Sequence, residues 1–218
     1  MKLPVIVYFV NASSLFAAIA GIVRYKRLNN AMKVFSVFCV LTCLMEIFEL
    51  ILNRKHINNT FISNYYVPAE MIFISFVYLL SLANKRMQRI ISALALLFLC
   101  IWVLDKIYFD VSGQVNIEMA VTSRIFIILI SVLTIHTIVR QMNHPFINTP
   151  IFWVSTGVLL YSTGVALILA SMNELIKMGI SYYQAAWYIN WSLVIIVNVM
   201  YAKGFFCTTG SPEQIAQS

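Results

Sequence analysis

Glu46, Glu49, Glu70, Asp105 and Arg124 stand within long apolar stretches of a 218-residue chain. A charged side chain at the centre of a bilayer costs roughly 2.5–3.5 kcal/mol on the insertion scale, so such groups turn toward protein or a water-filled cavity and often serve function. Glu46 and Glu49 are three positions apart, which places both on one face of a helix. Short connections bring Glu70 near that face. Carboxylates held that close require a counter-charge, and Arg124 is the cation at matching depth. The expected arrangement is an outward-facing polar pocket in which Arg124 pairs with at least one glutamate. The competing arrangement has these groups reaching the interface separately, or one ion pair that only orients helices. Trp187, Asn190 and Trp191 recur at helical spacing with Val194 and Asn198 and could wall the pocket. Aromatic surface with a few polar groups suits a small amphipathic ligand or a lipid headgroup, while the amides alone would serve as hydrogen-bonding glue between helices.

Other chemistries lack their residues. Cys39, Cys43, Cys100 and Cys207 form no CxxC and have no nearby paired histidine, so neither a zinc site nor a disulfide framework is indicated. Cys39 and Cys43, one turn apart in an apolar run, read as small buried apolar residues. His136 is the one histidine at membrane depth and reads as a structural hydrogen-bonding group; His56 and His144 belong to solvated loops. H-E-x-x-H, E-x-x-H and G-x-S-x-G are absent, which removes metalloprotease, di-iron and serine-hydrolase readings. A retinal Schiff base needs a lysine deep in a helix, and Lys203 lies at a helix end. No metal or cofactor is expected.

The elements that must position these groups follow from composition. The chain is 61% hydrophobic and 11% charged, against roughly 25% charged in an ordinary soluble domain, and its mean hydropathy is +0.85. Seven apolar windows, 4–23, 31–52, 62–83, 90–109, 119–139, 151–171 and 184–205, each have the length of a membrane span. In lipid the backbone must satisfy its own polar groups, so all seven read as helices. The expected fold is an all-α integral membrane protein: a seven-transmembrane-helix bundle over 1–207, followed by a short polar tail at 208–218. No room is left for a soluble catalytic domain. Gly157 and Gly164, flanking Tyr161, read as packing positions that let helices approach.

Orientation follows from charge. The net charge of +7 reads as topology and not as nucleic-acid binding. The first window resembles a secretory signal, with its run Ala17, Ala18 and Ala20, but Arg24, Lys26 and Arg27 follow it, as for an uncleaved helix with its N-terminus outside. That choice puts Arg24, Lys26, Arg27, Lys33, Lys85, Arg86, Arg89, Arg140 and Lys203 inside. Lys2, Arg54, Lys55, Lys106, Arg124 and Lys177 fall on the external half, accompanied by Asp105, Asp110, Glu118 and Glu174. Tyr65, Tyr66, Trp102, Tyr108, Tyr182, Tyr183 and Trp187 form the outer aromatic belt, and Trp153, Phe205 and Phe206 the inner one. A multi-pass protein of the bacterial inner membrane, N-terminus outside and C-terminus cytoplasmic, is expected.

Four stretches carry a resemblance: 64–73 (NYYVPAEMIF), 123–131 (SRIFIILIS), 150–164 (PIFWVSTGVLLYSTG) and 201–207 (YAKGFFC). They resemble a family of small seven-helix membrane proteins of Bacteroidota whose relatives form the membrane part of some sensor histidine kinases. The pattern F-W-x-x-x-G-x-L-x-Y-x-x-G is the most specific of these. The resemblance implies a seven-helix bundle of signalling lineage and a glutamate after an aromatic pair, matched by Glu70. Arg124 departs from it, standing where that family carries a glutamate beside its serine.

Three functions compete on these residues. A sensory or ligand-binding module would use the outer pocket, and the short tail then requires a separate protein partner to carry the signal. A small proton- or cation-coupled transporter or channel would use the glutamates as relays, although the inner half offers only His136 and Asn198 as a continuing polar track. An intramembrane enzyme or defence-system effector acting on lipid would use paired carboxylates as acid and base.

Overall fold

The computed structural model describes residues 4–108, 116–141 and 146–207. The tail 208–218, Lys2, Asp110, His144 and Pro145 lie outside the described residues. Eight α-helices and no strand occur among the described residues: α1 (Val5–Arg24), α2 (Asn30–Arg54), α3 (Thr60–Ser81), α4 (Lys85–Tyr108), α5 (Ile117–Gln141), α6 (Pro150–Ala170), α7 (Met172–Met178) and α8 (Ile180–Phe206). Six of them, α1, α2, α4, α5, α6 and α8, are long and apolar enough to cross a membrane. The molecule is thus an all-helical bundle of multi-pass membrane character. α3 has the length, 22 residues, but its first half holds Asn64, Tyr65, Tyr66, Pro68 and Glu70, which dilute its apolarity.

Local chemistry sets the boundaries. Asn29 caps α2 by accepting from the Met32 N–H at 2.9 Å, and Thr149 caps α6 by accepting from the Phe152 N–H at 3.3 Å, with Pro150 beginning the helix. Both use the side-chain oxygen to satisfy a backbone donor left free in a first turn. Gly179, at φ +122°, makes the sharp turn from the short α7 into α8. A backbone there is almost confined to glycine.

Packing order gives the architecture. α1 packs on α2, α2 on α3, α3 on α5, α5 on α6, α6 on α8, and α8 returns to α1, so six helices close a ring. α4 lies outside it in the groove between α3 and α5, with only Ile91 and Phe98 buried. Three polar contacts join α3 to α5 or its first cap. The Asn116 N–H donates to Asn64 Oδ1 at 3.2 Å, Arg124 pairs with Glu70, and the Tyr78 and Ser131 hydroxyls meet at 2.9 Å. Residue numbers rise together on both helices, so α3 and α5 run parallel. α1 and α8 also run parallel: Asn198 donates to Ser13 and Ser14, both at 3.0 Å, and the Phe205 ring lies against Gly21 further along.

Glycines set the closest approaches. A Cβ on Gly157 would meet the Tyr201 ring at 2.7 Å, and one on Gly164 would strike Leu193. α6 and α8 therefore pack more closely than side chains would allow. At the cationic end of the ring Phe35 packs edge-on against Tyr201, centroids 4.8 Å apart, and stands 5.8 Å from Phe205. This aromatic layer is a dry core, with Phe35 and Phe205 inaccessible.

Candidate functional site

The ring is hollow on the side of the α1 N-terminus. Two connected spaces occupy it. The wider is a vestibule of about 660 Å³ between α1, α2, α6 and α8. The narrower is an inner chamber of about 70 Å³ that reaches α3. Glu46, Tyr161 and Val194 border both and form the neck between them.

Helix geometry explains which side chains arrive there. Glu46 and Glu49, one turn apart on α2, both line the vestibule, and Glu46 also faces the chamber. On α8, Tyr183, Trp187, Asn190, Trp191, Val194 and Asn198 recur at helical spacing and line the two spaces in sequence. Their rings form a continuous wall: Tyr183 and Trp187 centroids are 6.2 Å apart, Trp187 and Trp191 6.4 Å, Tyr188 and Trp191 5.4 Å.

At the inner wall Arg124 grips Glu70 with a two-pronged contact, Nη1 donating to Oε1 at 2.7 Å and Nη2 to Oε2 at 2.5 Å. Both residues are 5% exposed. The parallel fork matches a carboxylate's two oxygens, the strongest geometry for such a pair. The guanidinium also stands 5.1 Å from the Tyr161 ring centroid, a cation–π distance. Arg124 Nε has no hydrogen-bond partner among the described residues.

Glu46 is served differently. Ser14 lines the chamber beside it, and Asn198 donates to that serine, so α8, α1 and α2 come together there. Glu46 Oε2 is buried without a hydrogen-bond partner among the described residues, as is Asn190 Oδ1 on the vestibule wall. Glu49 receives a hydrogen bond from Ser63. Tyr66 Oη lies 3.4 Å from Thr42 Oγ1 beside Glu70 at the chamber.

Of the residues singled out in the sequence, Glu46, Glu49, Trp187, Asn190 and Trp191 share the vestibule, and Glu70 with Arg124 closes the chamber behind it. Asp105 stands apart. It is on α4, outside the ring, and accepts from Asn116 Nδ2 at 2.7 Å, securing the start of α5. Tyr66, placed in the outer belt with Tyr65, turns inward instead, and Tyr65 alone faces outward against Trp102, 6.0 Å away. Tyr161, read between two packing glycines, supplies the neck. Ser14, Thr42 and Asn11 carried no signal in an apolar run, because their role depends on which helices become neighbours. His136 is exposed on the flank of α5. Lys203 caps its Trp153 at 3.8 Å from the ring centroid at the far end of the bundle. Among the described residues no cluster of His, Cys, Asp and Glu is arranged to hold a metal, and all four cysteines are free.

The arrangement defines a helical membrane-type bundle with a partly polar cavity toward the α1 N-terminal end. No protein-family model, curated protein or solved structure matches the chain.

Proposed function

We propose that the protein is a seven-span sensory or ligand-binding module, N-terminus outside, whose vestibule takes a small amphipathic ligand and whose bundle reports occupancy to a separate protein partner. The observation that carries this reading is the cavity: a vestibule in the size range of small-molecule sites, about 300–1,000 Å³, beside a narrower chamber lined by Phe38, Tyr66, Tyr161 and Tyr201. A mixture of aromatic walls with a few directed polar groups is the composition of a binding site. The parallel course of α3 and α5 supports counting α3 as a seventh span, and the cations gathered at the opposite end support the cytoplasmic assignment of that end. The resemblance to the membrane part of sensor kinases agrees with it.

The Arg124–Glu70 pair supplies the element that a switch requires. It joins α5 to α3 directly behind the chamber, and the Arg124 guanidinium also faces Tyr161 of α6 at the neck. A ligand that displaces Tyr161 alters three helices at once. Coupling demands such differential contacts in two states.

The test uses the full chain in nanodiscs with Trp102 and Trp153 changed to Phe, so that emission comes from Trp187 and Trp191. Titration with fractionated membrane-lipid and small-amphiphile extract should shift that emission saturably, and Val194→Phe at the neck should weaken the response. An unresponsive pair of tryptophans across all fractions rejects the reading. The transporter alternative predicts proton or cation flux in proteoliposomes that Glu46→Gln abolishes; the binding-module reading predicts none.

A further inference from the structure

Charge in the vestibule is one-sided. Among the described residues lining it, Glu46 and Glu49 are acidic and none is cationic. The cation nearest the neck, Arg124, spends both terminal nitrogens on Glu70. The two buried side-chain atoms on the vestibule wall that lack a partner, Glu46 Oε2 and Asn190 Oδ1, are both acceptors. A buried acceptor left unmet is costly, so the complementary ligand brings donors. A cleft bearing charge of one sign between low-dielectric walls concentrates the opposite charge.

The aromatic wall points the same way. Trp187, Trp191 and Tyr183 stand ring beside ring opposite the two glutamates of α2. Tryptophan offers the best face to a cation, and the attraction strengthens when water is excluded. The apolar remainder of the wall, Val7, Val10 and Leu50, accommodates a hydrocarbon or aryl body.

Building on the binding-module reading, we infer that the vestibule selects protonated amphipathic amines, the ammonium group seated between Glu46 and the Trp187–Trp191 wall with its N–H groups donating to Glu46 Oε2 and Asn190 Oδ1. Glu49, nearer the mouth, draws the cation in. The ammonium can belong to a free amine or to an aminolipid headgroup; the site reads the chemistry they share.

Three probes of matched size decide it: 2-phenylethylammonium, 2-phenylethanol and phenylacetate. They are titrated into the nanodisc-embedded chain with emission restricted to Trp187 and Trp191 and with protein-free nanodiscs as the partition blank. The ammonium probe should bind at least about tenfold more tightly than the alcohol, as a charge-assisted contact with a cation–π component implies, and phenylacetate should not bind. Glu46→Gln should remove about tenfold of that preference and Glu49→Gln about threefold. The second change, in a half-buried position on the wide space, keeps the test open if the first variant misfolds. Asp105→Asn should change nothing. Discs of phosphatidylethanolamine in place of phosphatidylglycerol distinguish the sources: competition with the ammonium probe identifies an aminolipid occupant, and its absence a free amine. Tighter binding of the alcohol or the carboxylate, or a preference for the ammonium that survives both glutamate changes, overturns the cation assignment and leaves the binding module standing. Silence toward all three probes overturns the assignment as well, and the module itself falls only if the extract titration is also silent.

Discussion

At Arg124 both terminal nitrogens are committed to the two oxygens of Glu70, in a bundle interior where each residue is 5% exposed. Removing one partner of a buried pair leaves the other charge uncompensated, typically at about 3–5 kcal/mol, whereas exchanging both for apolar groups of similar volume is often neutral or better. Glu70→Gln or Arg124→Met alone should therefore lower stability by about that amount in mixed-micelle unfolding, and the double change Glu70→Met with Arg124→Met should recover most of the loss. If the double variant is as unstable as the singles, the pair's worth lies in its contacts with Tyr161 and Tyr66 and not in charge balance. The need for a counter-charge at this depth was legible in the sequence, because three glutamates and one arginine fall on matching turns. Which glutamate would receive the fork was not. Glu46 finds Ser14 on α1 and Glu70 finds the arginine, a division set by the order of helices around the ring. Asp105 shows the limit of the same reasoning: its depth suits the cluster, but its azimuth does not, since α4 lies outside the ring.

Each apolar window becomes a helix, and the helices overrun several windows by up to about a turn and a half because the flanking residues are interfacial ones that a helix tolerates. α4 begins at Lys85 and α8 at Ile180, ahead of windows that begin at 90 and 184. Hydropathy sees apolar length, while the helix ends where caps and turns end it, as at Asn29, Thr149 and Gly179. The seven-residue α7 escaped detection for the same reason: its Asn173, Glu174 and Lys177 carry no apolar periodicity, and the exposed Lys177–Glu174 contact of 2.7 Å lies one turn apart along it. The glycines of α6 were readable as packing positions, and their partner is now Tyr201 for Gly157 and Leu193 for Gly164. Gly157→Ala places a methyl 2.7 Å from the Tyr201 ring, which forms part of the chamber lining. Overpacking of this kind costs about 1–3 kcal/mol. The variant should unfold earlier by that amount and bind chamber-reaching probes less tightly, with Thr156→Ala on the neighbouring position as the control; an unchanged thermal midpoint would mean that the ring swings aside freely.

Chain direction across the whole bundle bears on the one topological question that hydropathy leaves open. Six helices meet the length and apolarity of a span, and an even number of crossings returns the chain to the side on which it began. Yet α1 and α8, the first and last of the six, run parallel, since Asn198 meets Ser13 and Ser14 while Phe205 meets Gly21. The beginning of α1 and the end of α8 are therefore at opposite ends of the bundle, which supports the proposal of an odd number of traversals. In the seven-span reading proposed above, α3 is the additional one. It runs beside α5 from Asn64 at one end to Tyr78 near the other, and about 1.5 Å per residue gives those 14 steps a rise of roughly 21 Å, most of a hydrocarbon core of about 30 Å. Glu70, the one charge in its polar first half, is buried against Arg124, and the same polar residues hold α3 below the apolarity of the other long helices. In a cysteine-free background, Ile57→Cys between α2 and α3 and Lys85→Cys at the start of α4 should accept an impermeant maleimide from opposite faces of the membrane. Lys26→Cys should react from the same face as Lys85→Cys. Labelling of positions 57 and 85 from one face would make α3 a re-entrant segment, put the two chain ends on one side, and remove the structural ground for a vestibule that opens opposite the cationic end.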